Sequence, residues 1–265
     1  MNPLPEYPVA QVFSRQQVAE RVGIADDVLG YWMKEGLLVP IPLEGARRHR
    51  RFAYQQLHVA GLLNELRKFG VNIAGLRGFA ALLQRGIAVG SQFAMHCSAL
   101  DIAASLSRLL HRYAAGEVVE VSAGLTYDED MKLILAGRSS ETRRPAIDEL
   151  EIILEYGRSD YASPDEIAAV AKQIAADDVI PVKLYADLIL QEHLADRGGT
   201  GHGSGWDAFG WLAWPDSAYR WTVVEPESGL GSVKGSNLAR SAVYLNLSAI
   251  VHDIWLPRVP FAAAA

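Results

Sequence analysis

Cysteine occurs once in the 265 residues, at Cys97. A disulfide within the chain is therefore excluded, and a thiolate metal site would lack partners. Long apolar runs are missing: none approaches the roughly 18 to 20 residues of a membrane helix, so no membrane partner is expected. The start, MNPLPEYPVA, has neither the basic nor the apolar region of a secretory signal, and the expected location is the cytoplasm. Nucleotide-binding signals are weak. The glycine-rich run Gly198–Gly205 lacks the Gly-Lys-Ser/Thr ending of a phosphate loop and follows no clear strand, so a connector is its simpler reading. His202, Ser204 and Asp207 lie close together, yet no nucleophile elbow frames them. His96 beside Cys97 has no third ligand nearby. The acids Asp148, Glu149, Glu151 and Glu155 read most simply as a solvated face. No cofactor, no metal, no internal repeat and no enzymatic activity is expected.

Half of the residues are hydrophobic, enough for a substantial core. The formal charge of −6 would argue against a nucleic-acid partner if it were evenly spread. It is not: residues 11–85 hold 11 Lys/Arg against 6 Asp/Glu, and residues 86–265 hold 14 against 24. A basic front joined to an acidic back fits a DNA-reading head with a different kind of tail.

Residues 1–10 carry three prolines and read as a flexible arm. Ser14 is a natural helix cap, Val18, Ala19 and Val22 share a face, and Gly23 suits the left-handed turn that ends a helix. A second helix is predicted from Asp26 to about Glu35, closed by Gly36 and barred from restarting by Pro40. Residues 41–53 hold Pro42, Gly45 and four arginines, too punctuated for a helix, and read as a hairpin wing. Helical spacing returns over Tyr54–Phe69, and Ile73–Leu83 forms a further helix after Gly70.

This order describes a winged helix-turn-helix, whose second helix fits the major groove while the wing meets the backbone. Arg47, Arg48, His49, Arg50 and Arg51 load the wing with cationic side chains. A run of charge is ordinarily a solvated face, but this one sits where a wing should be. Its contacts would be to phosphates, which supply affinity and make it salt-dependent.

The motifs carry a resemblance. Val28-Leu29-Gly30-Tyr31-Trp32, Glu35-Gly36-Leu37-Leu38-Val39-Pro40, Arg50-Arg51-Phe52 and Leu66-Arg67-Lys68-Phe69-Gly70-Val71-Asn72-Ile73 follow in order within residues 13–83. That segment resembles the DNA-binding domain of the MerR family of bacterial regulators. The resemblance implies a dimer on a near-palindromic site, with Tyr31 on the backbone and Arg50 and Arg51 on phosphates. Arg15, Gln16 and Lys34 are added as DNA contacts by position and chemistry. Trp32, Leu37, Leu38 and Phe52 are expected in the core. Two departures stand out. The family's helix-two arginine is Gly30 here, so an arginine restored at that position is expected to raise affinity. The usual Ser/Thr cap is replaced by Ala25 followed by Asp26 and Asp27, acids that suit the helix dipole but face phosphates poorly.

Met95, Ala99, Ile102, Leu106, Leu109 and Tyr113 are spaced 4, 3, 4, 3, 4, a heptad seam within residues 91–115. It reads either as one amphipathic core helix or as a dimerisation helix. Beyond it, Val118–Leu125 and Met131–Ala136 suggest a hairpin, and residues 137–146 a polar connector. Ser163-Pro164-Asp165-Glu166 starts a helix to about Ala176, and Pro181 opens another to about Leu194. Strands are predicted around Phe209–Trp214 and Tyr219–Glu225, and Ser241–Trp255 as a strand running into a short helix. Trp206, Trp211, Trp214 and Trp221 form either bulky filling of a β-core or an aromatic effector pocket.

The expected fold class is α+β: a mainly helical winged helix-turn-helix at 11–85, a connecting dimerisation helix at 91–115, and a mixed α+β regulatory or partner-binding domain at 117–265. The expected function is a bacterial DNA-binding transcription regulator acting as a homodimer on duplex DNA, with a small-molecule or protein effector at the C-terminal domain. The alternative is an architectural DNA binder, such as a phage-type excisionase or a protein like a terminase small subunit, which use similar winged helices.

Overall fold

The computed structural model describes residues 10–42, 50–115, 161–189, 210–224 and 242–255. They fall into two compact units. One holds residues 10–84 together with 210–224 and 242–255, and the other holds 85–115 with 161–189.

In the first unit, helix α1 (Arg15–Val22) starts at a capping box. The Ser14 hydroxyl accepts from the Gln17 N–H at 3.2 Å, and the Gln17 side chain accepts from the Ser14 N–H at 2.8 Å. Gly23 ends the helix at φ +71°, a left-handed conformation that glycine adopts without steric cost. Helix α2 (Asp26–Lys34) has no side-chain cap at Ala25, but Asp26 and Asp27 meet the positive end of its dipole. It buries Leu29 and Trp32. Gly36, at φ +75°, turns the chain so that Leu37 and Leu38 are buried. Strands β1 (Phe13–Ser14) and β2 (Arg51–Phe52) pair antiparallel, with Phe13 opposite Phe52, both fully buried. Ile41 forms an antiparallel bridge with Arg51.

Helix α3 (Tyr54–Lys68) is buried on nearly every side, including Gln56, His58 and Asn64. A helix so enclosed needs cover on more than one face. Helix α1 supplies one cover and the C-terminal helix another. Helix α4 (Ile73–Gly90) runs a turn and more beyond the expected end at Leu83.

The final strands, β3 (Gly210–Pro215), β4 (Trp221–Val224) and β5 (Val243–Asn246), form an antiparallel sheet in the order β4-β3-β5. Trp211 stands opposite Leu245, and Trp214 opposite Thr222. The Trp221 indole N–H donates to the Gly75 carbonyl at 2.9 Å, and its ring meets Phe79 edge-on at 4.8 Å, which seats the sheet on α4. The C-terminal helix follows β5 directly and packs on α3, where a Cβ added to Gly61 would lie 2.8 Å from Ile254.

The second unit contains the end of α4 and helices α5 (Cys97–Ala114), α6 (Pro164–Ala171) and α7 (Val179–Ile189), with a short 3-10 turn at Ala176–Asp178. Helix α8 is the C-terminal helix (Leu247–Trp255) of the first unit. Ser163 and Glu166 form a second capping box at α6. The Ser163 main-chain N–H, and then its hydroxyl, hold the Glu166 carboxyl below the ordinary glutamate range. Helix α5 buries Cys97, Leu100, Ala103, Ala104 and Ser107 against α6 and α7, and Ser107 donates to the Ile174 carbonyl at 2.9 Å. The bare backbones of Gly86 and Gly90 admit Pro181 and Tyr185. Arg85 pairs with Asp178, whose hydrogen bond and charge raise the guanidinium pKa further.

One expectation is corrected. Residues 210–224 and 242–255, expected in a separate domain at 117–265, cluster with residues 10–84 instead, because Trp221 and Ile254 fill helix faces there. Along the heptad seam, Ala99 and Leu106 are buried within the chain, while Met95 and Ile102 are half-buried. The side chains of Leu109 and Tyr113 lie outside the described residues. So do residues 1–9 of the arm, the hairpin at 118–136, the connector at 137–146, the acids from Asp148 to Glu155 and the glycine-rich run with His202, Ser204 and Asp207.

Candidate nucleic-acid interface

Helix α2 divides its residues between two faces. Leu29 and Trp32 point into the core, while Asp27, Tyr31 and Lys34 lie in one exposed row. The adjacent aromatic pair is split by this geometry: Trp32 is 2% exposed and Tyr31 47%. Gly30 sits half-buried beside Tyr31 on the outward side.

Arg15 reaches this helix from the start of α1. Its guanidinium donates through Nη2 to the Asp26 main-chain carbonyl at 2.7 Å and to the Asp26 carboxylate. A Cβ added to Gly30 would lie 2.9 Å from Nη2, so the guanidinium would have to shift. A side chain at position 30 would therefore meet the end of Arg15 rather than open space. Gln16 is exposed and donates to Glu20 at 2.8 Å on its own helix.

Of the arginine run, Arg50 is exposed and Arg51 half-buried. The Arg51 carbonyl accepts from the Ile41 N–H at 2.8 Å, which ties Ile41 to β2. Arg47, Arg48 and His49 lie outside the described residues. The segment Leu37–Val39 after α2 is held by two glutamines absent from the sequence-based site. The Val39 N–H donates to Gln56 at 3.0 Å, the Gln84 amide donates to the Leu37 carbonyl at 3.0 Å, and the two amides bond to each other. Arg77 on α4 pairs with Glu35 and ties down the end of α2. A glutamine among leucines on a buried helix, as Gln56 is beside Leu57, was the signal available for this brace.

The aromatic effector pocket is corrected. Trp211, Trp214 and Trp221 are 1%, 7% and 8% exposed, and Phe79 packs against the first and last of them. The Trp211 and Trp221 rings fill the core between the sheet and α4, while Trp214, an odd number of positions along β3 from Trp211, is buried on the other face of the sheet. Trp206 lies outside the described residues. Next to them, the β3–β4 turn is held by Asp216, which accepts from the Ala218 and Arg220 N–H groups and from the Arg220 side chain. The bond from the Arg220 backbone contributes most to holding its carboxyl below the ordinary aspartate range.

Among the described residues, no helix is long and apolar enough to cross a membrane. Residues 13–83 match the family model of the MerR HTH family regulatory protein, the segment in which the ordered motifs lie. The match spans β1, α1, α2, β2, α3 and α4 as far as Leu83, and it supports a DNA-binding transcription regulator. No curated protein and no solved structure matches the chain.

Proposed function

We propose that this chain is a cytoplasmic bacterial transcription regulator that binds duplex DNA as a homodimer. Helix α2 enters the major groove and presents Tyr31 and Lys34, with Arg15 and Gln16 beside them. The wing, through Arg47, Arg48, His49, Arg50 and Arg51, holds the phosphate backbone. The reading is supported by one observation: the stretch that matches a regulatory helix-turn-helix family presents an outward row on its second helix, and Ile41 bridges Arg51 at the end of the sequence's arginine run. Phosphate contacts of this kind give sequence-independent affinity that weakens as salt rises.

The test is binding of the full chain to a randomised pool of short duplexes in dilute salt, followed by genome-wide occupancy. Selective enrichment of a near-palindromic duplex, with peaks beside promoters whose transcription changes on deletion, supports the reading. Absence of affinity for any duplex overturns it. An effector acting through the second unit or the C-terminal segment belongs to the same proposal; it would shift duplex affinity without competing for the wing.

A further inference from the structure

We propose that Arg15 is the specificity-determining cation at the centre of the α2 face, held there by a notch at Gly30 and by Asp26 as a positioning residue. The inference rests on the reading of α2 as the helix that enters the groove.

Glycine in the middle of a helix is unfavourable relative to alanine. At Gly30 the missing side chain is replaced in space by the guanidinium of another helix: Nη2, Cζ and Nη1 of Arg15 would lie 2.9, 3.3 and 3.5 Å from a Cβ there. The Nε atom is buried, whereas the side chain as a whole is 40% exposed, so the stem is sunk and the charged fork is partly open to solvent. Both Asp26 bonds use Nη2. Nη1 makes no hydrogen bond among the described residues, which leaves the fork with donors to give.

Position strengthens the case. Gly30 precedes Lys34 by one turn and adjoins Tyr31, so the guanidinium lies within the row that would face a duplex. An arginine fork on such a face reads guanine or grips a phosphate in two-point geometry. Asp26 fixes the fork before any DNA arrives, and a side chain already held loses less entropy on binding. The acid that reads unfavourably against phosphates in the sequence is thus employed in aiming a cation.

The experiment uses the full-length chain and variants, the randomised duplex pool, and the duplexes the unaltered protein enriches from it. R15A is expected to bind those duplexes about tenfold more weakly, the scale of one good two-point contact. R15K keeps affinity for the mixed pool but loses the preference, because an ammonium lacks the fork. G30A shifts the guanidinium out of its notch and weakens the preference by less than R15A does, and the double variant R15A/G30A is no weaker than R15A alone. D26N raises affinity for the mixed pool by removing an acid while flattening the preference, a split that loss of folding does not produce. Melting curves for each variant verify the fold; G30A keeps a good helix former.

Additive losses in the double variant, or unchanged selection by R15A or G30A, overturn the proposal. If R50A/R51A weakens binding while R15A does not, this inference fails and the regulator reading stands. If the unaltered chain binds no duplex, the regulator reading itself fails.

Discussion

The Trp255 indole N–H donates to His58 Nε2 at 2.7 Å, a buried bond between residues 197 positions apart. It joins the last described residue of the chain to the middle of α3. The Trp255 ring also meets Phe13 edge-on at 5.7 Å, and Arg21 lies over both rings while donating to the Ile254 carbonyl at 3.2 Å. The helix-turn-helix and the C-terminal helix therefore share one core.

That sharing predicts that the head does not hold its fold without the tail. Trp255→Ala should lower stability by about 3 to 5 kcal/mol, the usual cost of deleting a large buried ring. Trp255→Phe keeps most of the packing and leaves the buried His58 Nε2 without its indole donor, a loss of about 1 to 3 kcal/mol. Denaturant unfolding of the two variants orders them. A fragment ending near residue 90 should give little cooperative transition; a sharp one would show that α8 is dispensable.

Gly78 supplies a second test of the same assembly. A Cβ there would run into the Tyr219 carbonyl, where the β3–β4 turn lies on α4. Tyr219 itself is at φ +59° and its hydroxyl accepts from Asn72 at 2.9 Å, so the turn has little room to withdraw. Gly78→Ala should therefore destabilise by about 1 to 3 kcal/mol despite improving helix propensity. Thermal melting decides: a gain in stability would mean the turn yields freely.

What was legible in the sequence was local. Ser14, Gly23, Gly36 and the Ser163–Glu166 start each act on neighbours within a few residues, and each stands where the pattern put it. The same holds for the strand that runs into a helix at Val243–Trp255. What escaped depends on distant partners. Helix α4 continues through Gly86 and Gly90, which look like helix breakers until Pro181 and Tyr185 are seen packed on them. Alternating aromatics around Trp211 and Trp221 do not say which surface they cover, and that surface was the head rather than a ligand. The motif order located α2, but Arg15 over Gly30 is a contact between helices that no spacing within either one encodes.

Arg50→Ala with Arg51→Ala should weaken binding to every duplex alike and flatten its dependence on salt. Withdrawing one cation from a phosphate lowers the logarithmic salt slope by about 0.9. The Arg51 backbone is bonded to Ile41, and alanine retains that bond, so the fold should survive. Titrations at several salt concentrations measure the slope. An unchanged slope with weakened binding would show that these arginines act on wing conformation instead of on phosphates.

Ile102 and Leu106 separate a dimer helix from a core helix. Leu106 is 3% exposed within its own chain, packed where α5 meets α6 and α7. Leu106→Asp buries an unpaired carboxylate, which is strongly destabilising whatever the oligomeric state. It should lower helicity and melting temperature, and a monomer produced this way would carry no information about the interface. Ile102 is half-buried, so part of its side chain is open to a second copy. If α5 forms the dimer contact, Ile102→Asp should shift sedimentation from dimer to monomer with helicity intact. A folded Ile102→Asp protein that still sediments as a dimer would place the contact between copies elsewhere and leave α5 as the core helix of its own unit.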